Sequence, residues 1–513
     1  MKEDSLKKRY LFKVGVNFLG LPISAVSQFL IVRGLGPCAY GNFTFLTNIF
    51  NQIVGFLDAG TSIGFYTKLS QRLKESGLIK FYWFFFLAIC VAVTLFLPLI
   101  FLFKMQVYFF PNQEIKYIWL ALLFCLLTWS SQIVSKIVDA YGYTVNGETL
   151  RFAQRTFAVS LLAVLYFINK LNLTTLFFYH YVITLFILAA WWRLLKKNGV
   201  EVFPKVILKW KQYKSYMNEF YKYSHPLMVR SAVGFFSGVL TIWFLQKFGG
   251  SVQQGYYGFS LKLISIAGLF AFAMTPLITR ELSVSFGEKN LAKMRSLFLR
   301  YAPLLYFLVC IMSSFFFTNA ENISVLFGGD DFRKAKMAFA IMAFYPLIQT
   351  YGQLTGSFFY ATGKTKLYRN IGLMFSLFGV PMTFILLGPK SMYGLNLGSV
   401  GMSLEMVILG FISVNTLLWF VCKYLKMSFI KFFVHQIYSV FVLILVSLSS
   451  SYVVGLFIVN DIVSMLLSGF VYVILVVLLV VIIPNPLIFM NRKELLSQVK
   501  SVYLAIRRSK EAV

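Results

Sequence analysis

The sequence predicts an all-α membrane protein with about fourteen transmembrane helices, and three observations lead to that fold class. Hydrophobic residues make up 59% of the 513 residues, and charged residues make up only 13%. The mean hydropathy is +0.75. Long apolar runs, such as residues 81–103 and 462–483, reach the roughly 20 residues that a helix needs to cross the hydrocarbon core of a bilayer. A soluble domain of this size cannot bury so much apolar surface.

The individual spans follow from the apolar runs in chain order. We predict spans at residues 14–32, 41–66, 81–103, 117–138, 156–173, 175–192, 224–246, 256–279, 301–318, 337–360, 370–388, 399–422, 434–459 and 462–483.

The net charge of +30 is explained by where the basic residues lie. With fourteen spans both termini are on one side, and that side carries 37 Lys and Arg residues against 9 on the other. Basic residues accumulate in cytoplasmic loops, so we expect both termini in the cytoplasm. This topological reading is favoured over a nucleic-acid partner, and no nucleic acid is expected to bind.

Two basic segments are predicted to lie on the cytoplasmic membrane surface. In the segment 193–223, Val206, Trp210, Tyr213, Met217 and Phe220 recur every three or four residues among lysines. This pattern predicts an amphipathic linker helix at the interface. The tail 484–513 has the same character, and we predict a second basic amphipathic helix there.

Three short matches indicate an internal duplication. "YGNFTF" at 40–45 resembles "YGFSLK" at 257–262, and the stretches after spans two and four resemble those after spans eight and ten. The offsets of 217, 212 and 216 residues are nearly equal. We therefore predict two parallel six-helix lobes, 1–192 (helices 1–6) and 224–422 (helices 7–12), around a central cavity. Residues 423–483 add helices 13 and 14. Parallel repeats of this kind place a substrate site at the lobe interface.

Several of these residues also form motifs. The stretches "RGLGPCAYGNF" (33–43), "FLDAG" (56–60), "YYGFSLKL" (256–263), "ATGKTK" (361–366) and "YGLNLGSVGMSLEM" (393–406) occur in this order along the chain. They resemble motifs of the Wzx-type polysaccharide flippases, which belong to the multidrug/oligosaccharidyl-lipid/polysaccharide exporter superfamily. The resemblance covers residues 10–425. Glu405 departs from it, since family members usually carry small or apolar residues there.

The resemblance implies a transporter rather than an enzyme. Such a transporter would move an undecaprenyl-diphosphate-linked oligosaccharide, the repeat unit of an O-antigen or capsule, from the cytoplasmic to the outer leaflet by alternating access. Its expected location is the bacterial inner membrane. Its expected partners are the lipid-linked oligosaccharide, membrane lipids and other polysaccharide assembly proteins. Neither a cofactor nor a metal is expected, but antiport would require H⁺ or Na⁺ as coupling ion.

Charged residues inside or beside the spans are the candidate site residues, because an ionisable group in hydrocarbon is costly. Four bases are candidates to contact the diphosphate and sugar in the cavity, although snorkelling or helix-end anchoring would also explain them: Arg230, Lys262, Arg33 and Arg155. Two carboxylates, Asp58 and Glu405, are candidates for ion coupling. For Asp58, a structural role inside the first lobe and an ion pair with one of the four bases are open alternatives. Lys136 is expected to pair locally with Asp139.

Two other functional classes are considered. A multidrug or toxic-compound exporter of the same superfamily would favour carboxylate-rich cavities for cationic drugs, whereas the intramembrane charges here are mixed. A membrane polysaccharide polymerase or glycosyltransferase would need a large outer loop or a clustered Asp motif, and the sequence shows neither.

Overall fold

The computed structural model describes residues 6–73, 75–494 and 497. Across these residues the regular structure consists of helices, without strands. A helix satisfies all backbone hydrogen bonds within its own segment, which is what a hydrocarbon environment demands. The predicted all-α class is confirmed. The last part of the predicted amphipathic tail, residues 498–513, lies outside the described residues, as do Leu495 and Leu496.

In the described residues, eleven helices are long and apolar enough to span a membrane. Two of them, Phe18–Asp58 with 41 residues and Ser231–Ile264 with 34, each overlap two of the predicted spans. Predicted span ten, 337–360, is divided between two shorter helices. These three differences account for the eleven helices against the fourteen predicted spans. The described helices are those of an integral multi-pass membrane protein.

The chain divides into two compact units. The first comprises residues 1–258 and 376–402, and the second comprises 259–375 and 403–513. The predicted lobe boundaries at 192 and 224 remain a prediction. The helices of residues 6–264 are α1 (Leu6–Asp58), α2 (Thr61–Gln71), α3 (Ser76–Leu102), α4 (Gln106–Phe109), α5 (Ile115–Ala140), α6 (Thr144–Phe167), α7 (Leu173–Lys197), α8 (Trp210–Phe244) and α9 (Gly250–Ile264).

The remaining helices begin in the second unit, except the helix that starts at Gly398, whose first residues belong to the first unit. They are α10 (Leu269–Gly287), α11 (Leu291–Thr318), α12 (Ala320–Gly328), α13 (Lys336–Met342), α14 (Tyr345–Ala361), α15 (Thr365–Leu387), α16 (Gly398–Tyr424), α17 (Phe429–Gly455), α18 (Asp461–Ile482) and α19 (Asn485–Ile488). In the first unit α1 packs against α5, α6 and α8, and in the second α11 packs against α10, α14 and α17.

The duplication is visible in the backbone. Helix α1 is interrupted at Gly36, where φ is 71° and ψ is 172°. The same extended left-handed conformation recurs at Gly250, with φ 74° and ψ −178°, between the π-helical turn Leu245–Gly249 and α9. Glycine adopts these angles without the steric cost that a side chain brings. The two kinks lie 214 residues apart, close to the offsets of the sequence matches.

The helices that follow these two kinks meet at glycines within the first unit. A Cβ atom on Gly41 would lie 1.7 Å from the carbonyl oxygen of Ser251, and one on Gly255 would lie 2.1 Å from that of Pro37. Gly258 similarly faces Thr44. Only glycine permits so close an approach of two backbones.

The linker differs from the prediction in its helix. Residues 201–209 are not helical, and α8 begins at Trp210 and continues without interruption into span seven. Tyr216 and Phe220 are buried against Phe81 of α3. Trp210 and Met217, predicted on the same apolar face, are exposed. One side of the linker helix therefore docks on the first unit.

The last two spans are fastened to the second unit by polar contacts as well as by apolar packing. The Tyr472 hydroxyl donates to the carbonyl of Ile311 at 3.0 Å, and the hydroxyls of Thr318 and Ser447 lie 2.6 Å apart. The amides of Asn415 and Gln436 bond each other. Helices α17 and α18 are thus an integral part of this unit.

Candidate functional site

Asp58 lies where the second span breaks. Ala59 and Gly60 have φ values of 43° and 80°, so α1 ends at Asp58 and α2 begins at Thr61. The first N–H groups of a new helix lack partners in the preceding turn. Asp58 Oδ1 accepts hydrogen bonds from the Ser62 N–H and the Thr61 hydroxyl, both at 3.0 Å, and from the Tyr82 hydroxyl at 3.1 Å. Its Oδ2 accepts from the Ser62 hydroxyl at 2.9 Å.

These four hydrogen bonds explain why a carboxylate is tolerated inside an apolar run. Hydrogen bonds to an ionised group are strong and offset the cost of removing it from water. The Tyr82 side chain is fully buried and stacks on Phe65 at 4.2 Å, so the donor is held in place. The contacts of Asp58 therefore match the structural alternative, a role inside the first unit.

Lys136 of α5 is a cation that interacts electrostatically with Asp58. This proximity was missed from sequence, where the three-residue spacing favoured a local pair of Lys136 with Asp139. In the described part of the chain, Asp58 makes no ion pair with Arg33, Arg155 or Lys262.

Helix α6 carries a row of charged residues. Glu148 is 2% exposed and accepts a hydrogen bond from Arg151 at 3.0 Å. The Arg151 guanidinium also donates to the Ser135 hydroxyl at 2.9 Å and lies 5.3 Å from the Trp191 ring. Glu148 and Arg151 are functional candidates that sequence reasoning missed, although their three-residue spacing in "GETLRF" was a usable signal.

Arg155 continues this row one turn further along α6 and is half-buried. It interacts electrostatically with both Arg151 and Glu148. Its guanidinium lies directly over Gly20 of α1, where an added Cβ would come within 2.0 Å of Nη1. The absence of a side chain at Gly20 thus makes room for the cation between α1 and α6.

Two further predicted bases lie on the first unit. Arg33 is exposed, and its guanidinium lies 5.3 Å from the ring centre of Phe29, three residues before the Gly36 kink. Arg230 falls within α8, but its side chain lies outside the described part of the structure.

Lys262 and Glu405 belong to the second unit. Lys262 is exposed, two residues before α9 ends, and its carbonyl accepts a hydrogen bond from the Ser265 hydroxyl. Glu405 is half-buried on α16 and interacts electrostatically with Tyr345 of α14. Among the described residues no hydrogen bond or ion pair to the Glu405 carboxylate is formed.

In the described part of the chain, the contacts above join predicted site residues to residues outside the predicted set. In the first unit, Arg155 joins Glu148 and Arg151, and Asp58 joins Lys136. Among the described residues, no group of three or more His, Cys, Asp or Glu side chains is arranged to hold a metal ion.

A second charged cluster joins the linker helix to the loop after α2. Glu219 of α8 forms an ion pair with Lys68 at 2.6 Å and another with Arg72. Arg72 also pairs with Glu75 at 3.3 Å, and Glu75 accepts a hydrogen bond from the Tyr216 hydroxyl. Although burial alone would raise the pKa of Glu219, the hydrogen bonds from Lys68 and Arg72 hold it below the usual value of 4.5.

Comparison with solved structures finds the same fold in transporters. A structure described as the lipid II flippase MurJ, inward closed conformation, is 15% identical, with a TM-score of 0.65 over 92% of this chain and 98% of that chain. The inward-facing conformation of a multidrug resistance MATE family transporter of the MOP superfamily is also 15% identical, with a TM-score of 0.64 over 81% of this chain and 99% of that one. An outward-facing MATE transporter gives a TM-score of 0.53 at 15% identity, over 82% of this chain and 96% of that one.

No family profile and no curated protein sequence matches the chain. At 15% identity the structural likeness establishes the fold that this chain shares with MOP superfamily transporters.

Proposed function

We propose that this chain is a flippase that moves an undecaprenyl-diphosphate-linked oligosaccharide from the cytoplasmic to the outer leaflet by alternating access. The observation that carries the proposal is the fold match to a lipid II flippase over 92% of this chain and 98% of that one. A lipid-linked sugar cannot cross hydrocarbon unaided, because its hydroxyls would lose their hydrogen bonds to water. A protein that carries it needs a polar path for the sugar and cations for the diphosphate.

The extent of the two matches supports a lipid-linked substrate over a drug. The flippase match covers 92% of this chain and the drug-transporter match covers 81%. The difference is 11% of 513 residues, or about 56 residues. Helices α17 and α18, with 27 and 22 residues, have nearly that combined length.

In this proposal the bases bind the anionic part of the substrate. Arg155, Arg33, Arg230 and Lys262 are assigned to the diphosphate and sugar. Arginine suits this task because its guanidinium offers two parallel donors to a phosphate. The Glu148–Arg151 ion pair places a second guanidinium one turn from Arg155, with its charge balanced by the Glu148 carboxylate.

The two carboxylates differ in their suitability for ion coupling. Asp58 already accepts four hydrogen bonds, so binding a proton or Na⁺ would disrupt its donors. The half-buried Glu405 carboxylate has no hydrogen bond or ion pair within the described residues. We therefore assign coupling to H⁺ or Na⁺ to Glu405 first and to Asp58 second.

A reconstituted assay tests the proposal. Purified protein in vesicles is given a fluorescent undecaprenyl-diphosphate oligosaccharide in both leaflets, and a membrane-impermeant reagent then measures the fraction that becomes accessible with time. We expect flipping by the native chain and at least a tenfold slower rate in Arg155→Ala. The matched control is Arg300→Ala, which replaces an exposed arginine outside the assigned site. This variant should flip the lipid at the native rate.

A multidrug exporter is the second candidate, because the TM-score of 0.64 to a MATE transporter nearly equals that to the flippase. The same vesicles distinguish the two functions when a cationic dye replaces the lipid. Dye transport without movement of the lipid-linked sugar would overturn the flippase assignment.

A further inference from the structure

The non-helical stretch that precedes α8, together with the first turn of that helix, has two sides of different character. We call residues 200–214 the strap. Its inner side is fixed to the start of α3: Trp83 Nε1 donates to the carbonyl of Val202 at 2.9 Å. The Trp83 ring also contacts that of Phe203 at 4.8 Å, and Leu208 packs against Gly77.

The outer side of the strap exposes large apolar side chains. Ile207 is 86% exposed and Trp210 76%. This exposure adjoins the first turns of α3, a helix long and apolar enough to span the membrane. Apolar and aromatic side chains at the end of a span are typical of the interface between hydrocarbon and headgroups.

The charge of the strap specifies which headgroups it fits. Lys205, Lys209, Lys211 and Lys214 are all exposed, against one acidic residue, Glu201. Among the described residues none of these four lysines forms an ion pair, whereas Lys68 and Arg72 nearby are taken up by Glu219. Four free ammonium groups beside inserted apolar side chains complement a surface of phosphate-bearing, negatively charged lipids.

We propose that the strap is a docking surface for anionic phospholipids, with Ile207 and Trp210 inserted between acyl chains and the four lysines on headgroup phosphates. Each lysine near an anionic surface contributes attraction equivalent to about a fivefold change in binding. The strap should therefore enrich anionic over zwitterionic lipid by at least about fivefold. This role does not depend on the transported substrate.

Quenching of tryptophan fluorescence by brominated lipids tests the proposal on the full-length protein. The protein is reconstituted in phosphatidylcholine bilayers that contain brominated phosphatidylglycerol or, at equal mole fraction, brominated phosphatidylcholine. The chain has eight tryptophans, so the signal of Trp210 is the difference between native protein and Trp210→Phe. We expect brominated lipid to quench the Trp210 signal strongly, and brominated phosphatidylglycerol to quench it more than brominated phosphatidylcholine.

Charge variants separate specific binding from general basicity. Replacing Lys205, Lys209, Lys211 and Lys214 together by Gln should abolish the lipid preference. The matched control replaces four exposed lysines on the opposite predicted side, Lys104, Lys116, Lys247 and Lys390, and should retain it. Equal quenching by the two lipids, absence of Trp210 quenching, or a preference that survives the strap substitutions would each overturn the proposal.

Discussion

The second span of each repeat breaks at a corresponding place, but the two breaks are built differently. In the first copy Asp58-Ala59-Gly60 forms the break, with two residues at positive φ and a carboxylate that binds four donors. In the second copy Ile266-Ala267-Gly268 occupies the break, 208 residues later. Residues 265–268 form a turn whose N–H groups bond back to the preceding helix, and Gly268 has a φ of −76°.

The charged residues that follow these breaks also differ between the two copies. In the first copy Lys68 and Arg72 reach across to Glu219 of the linker helix. In the second copy Arg280, the counterpart of Lys68, forms an ion pair with its neighbour Glu281, and both are exposed. Both copies thus have a break in the second span, while the hydrogen bonds to a carboxylate at the break and the ion pairs to the linker helix are described in the first copy.

Disrupting the glycine contact between the helices that follow the two kinks should cause the largest loss of stability. Gly41→Ala or Gly255→Ala places a Cβ about 2 Å from a backbone oxygen. Overpacking of this kind costs about 1–3 kcal/mol of unfolding free energy. The control is Gly55→Ala, where no atom lies within 4 Å of the added Cβ. Melting temperatures measured in one detergent should fall for the first two variants and not for the third; equal values for all three would contradict the contact.

Replacing the Asp58 carboxylate at the first break should cause the next largest loss of stability. Asp58→Ala leaves the Ser62 N–H without its acceptor and leaves the Tyr82 hydroxyl with the Thr61 hydroxyl as partner, which together costs about 1–3 kcal/mol. Asp58→Asn should cost less, because its amide oxygen still accepts. At the second break, Ser265→Ala should change stability by less than about 0.5 kcal/mol. If Asp58→Ala and Ser265→Ala melt alike, the two breaks do not differ as described.

Breaking the ion pair between Arg72 and Glu219, which joins the linker helix to the end of α2, should lower stability by a smaller amount. A double-mutant cycle of Arg72→Gln and Glu219→Gln should yield a coupling energy of about 0.5–1 kcal/mol, since the pair is only partly exposed. The equivalent cycle on Arg280 and Glu281, which are well exposed, should yield almost none. Chemical denaturation of the four variants in each cycle gives both coupling energies. Equal coupling energies would remove the distinction between the first and the second copy.

Acid should weaken the ion pairs of Glu219 with Lys68 and Arg72. The lowered pKa of Glu219 means that its ionised form is favoured in the folded protein. Its contribution to stability is complete above the usual pKa of 4.5 and is lost as the pH falls through the lowered value. Hydrogen exchange of the first turns of α8 should therefore accelerate below pH 4.5 in native protein. Glu219→Gln should exchange equally fast at all pH values once intrinsic rates are divided out, and any residual acid acceleration would implicate another group.

Much of the fold was predictable because hydrocarbon allows few alternatives. Apolar runs predicted the helices, and the nearly equal offsets of short motifs predicted a duplication that agrees with the matching kinks at Gly36 and Gly250. The linker illustrates what could not be predicted. Its three- to four-residue pattern indicated one apolar face, but Tyr216 and Phe220 find aromatic partners on α3, whereas Trp210 is exposed.

The candidate site was predictable only as a set of residues. Asp58 stands out as a charge in an apolar run, but its donor Tyr82 lies 24 residues away and its electrostatic neighbour Lys136 lies on another helix. Such pairings depend on how helices pack, which local spacing does not encode. The spacing of Glu148 and Arg151 did encode their pairing, but not the burial of Glu148, which depends on the packing of α6.

The location of the lipid-linked oligosaccharide in cells that lack this protein tests the central claim most directly. Intact and lysed cells of the deletion strain are probed with a sugar-binding lectin that cannot cross the membrane. The flippase account predicts that the undecaprenyl-diphosphate oligosaccharide accumulates on the cytoplasmic side, and that re-expression of the native chain restores it to the outer leaflet. Normal delivery to the outer leaflet in the deletion strain, with no other flippase in that strain, would contradict the account.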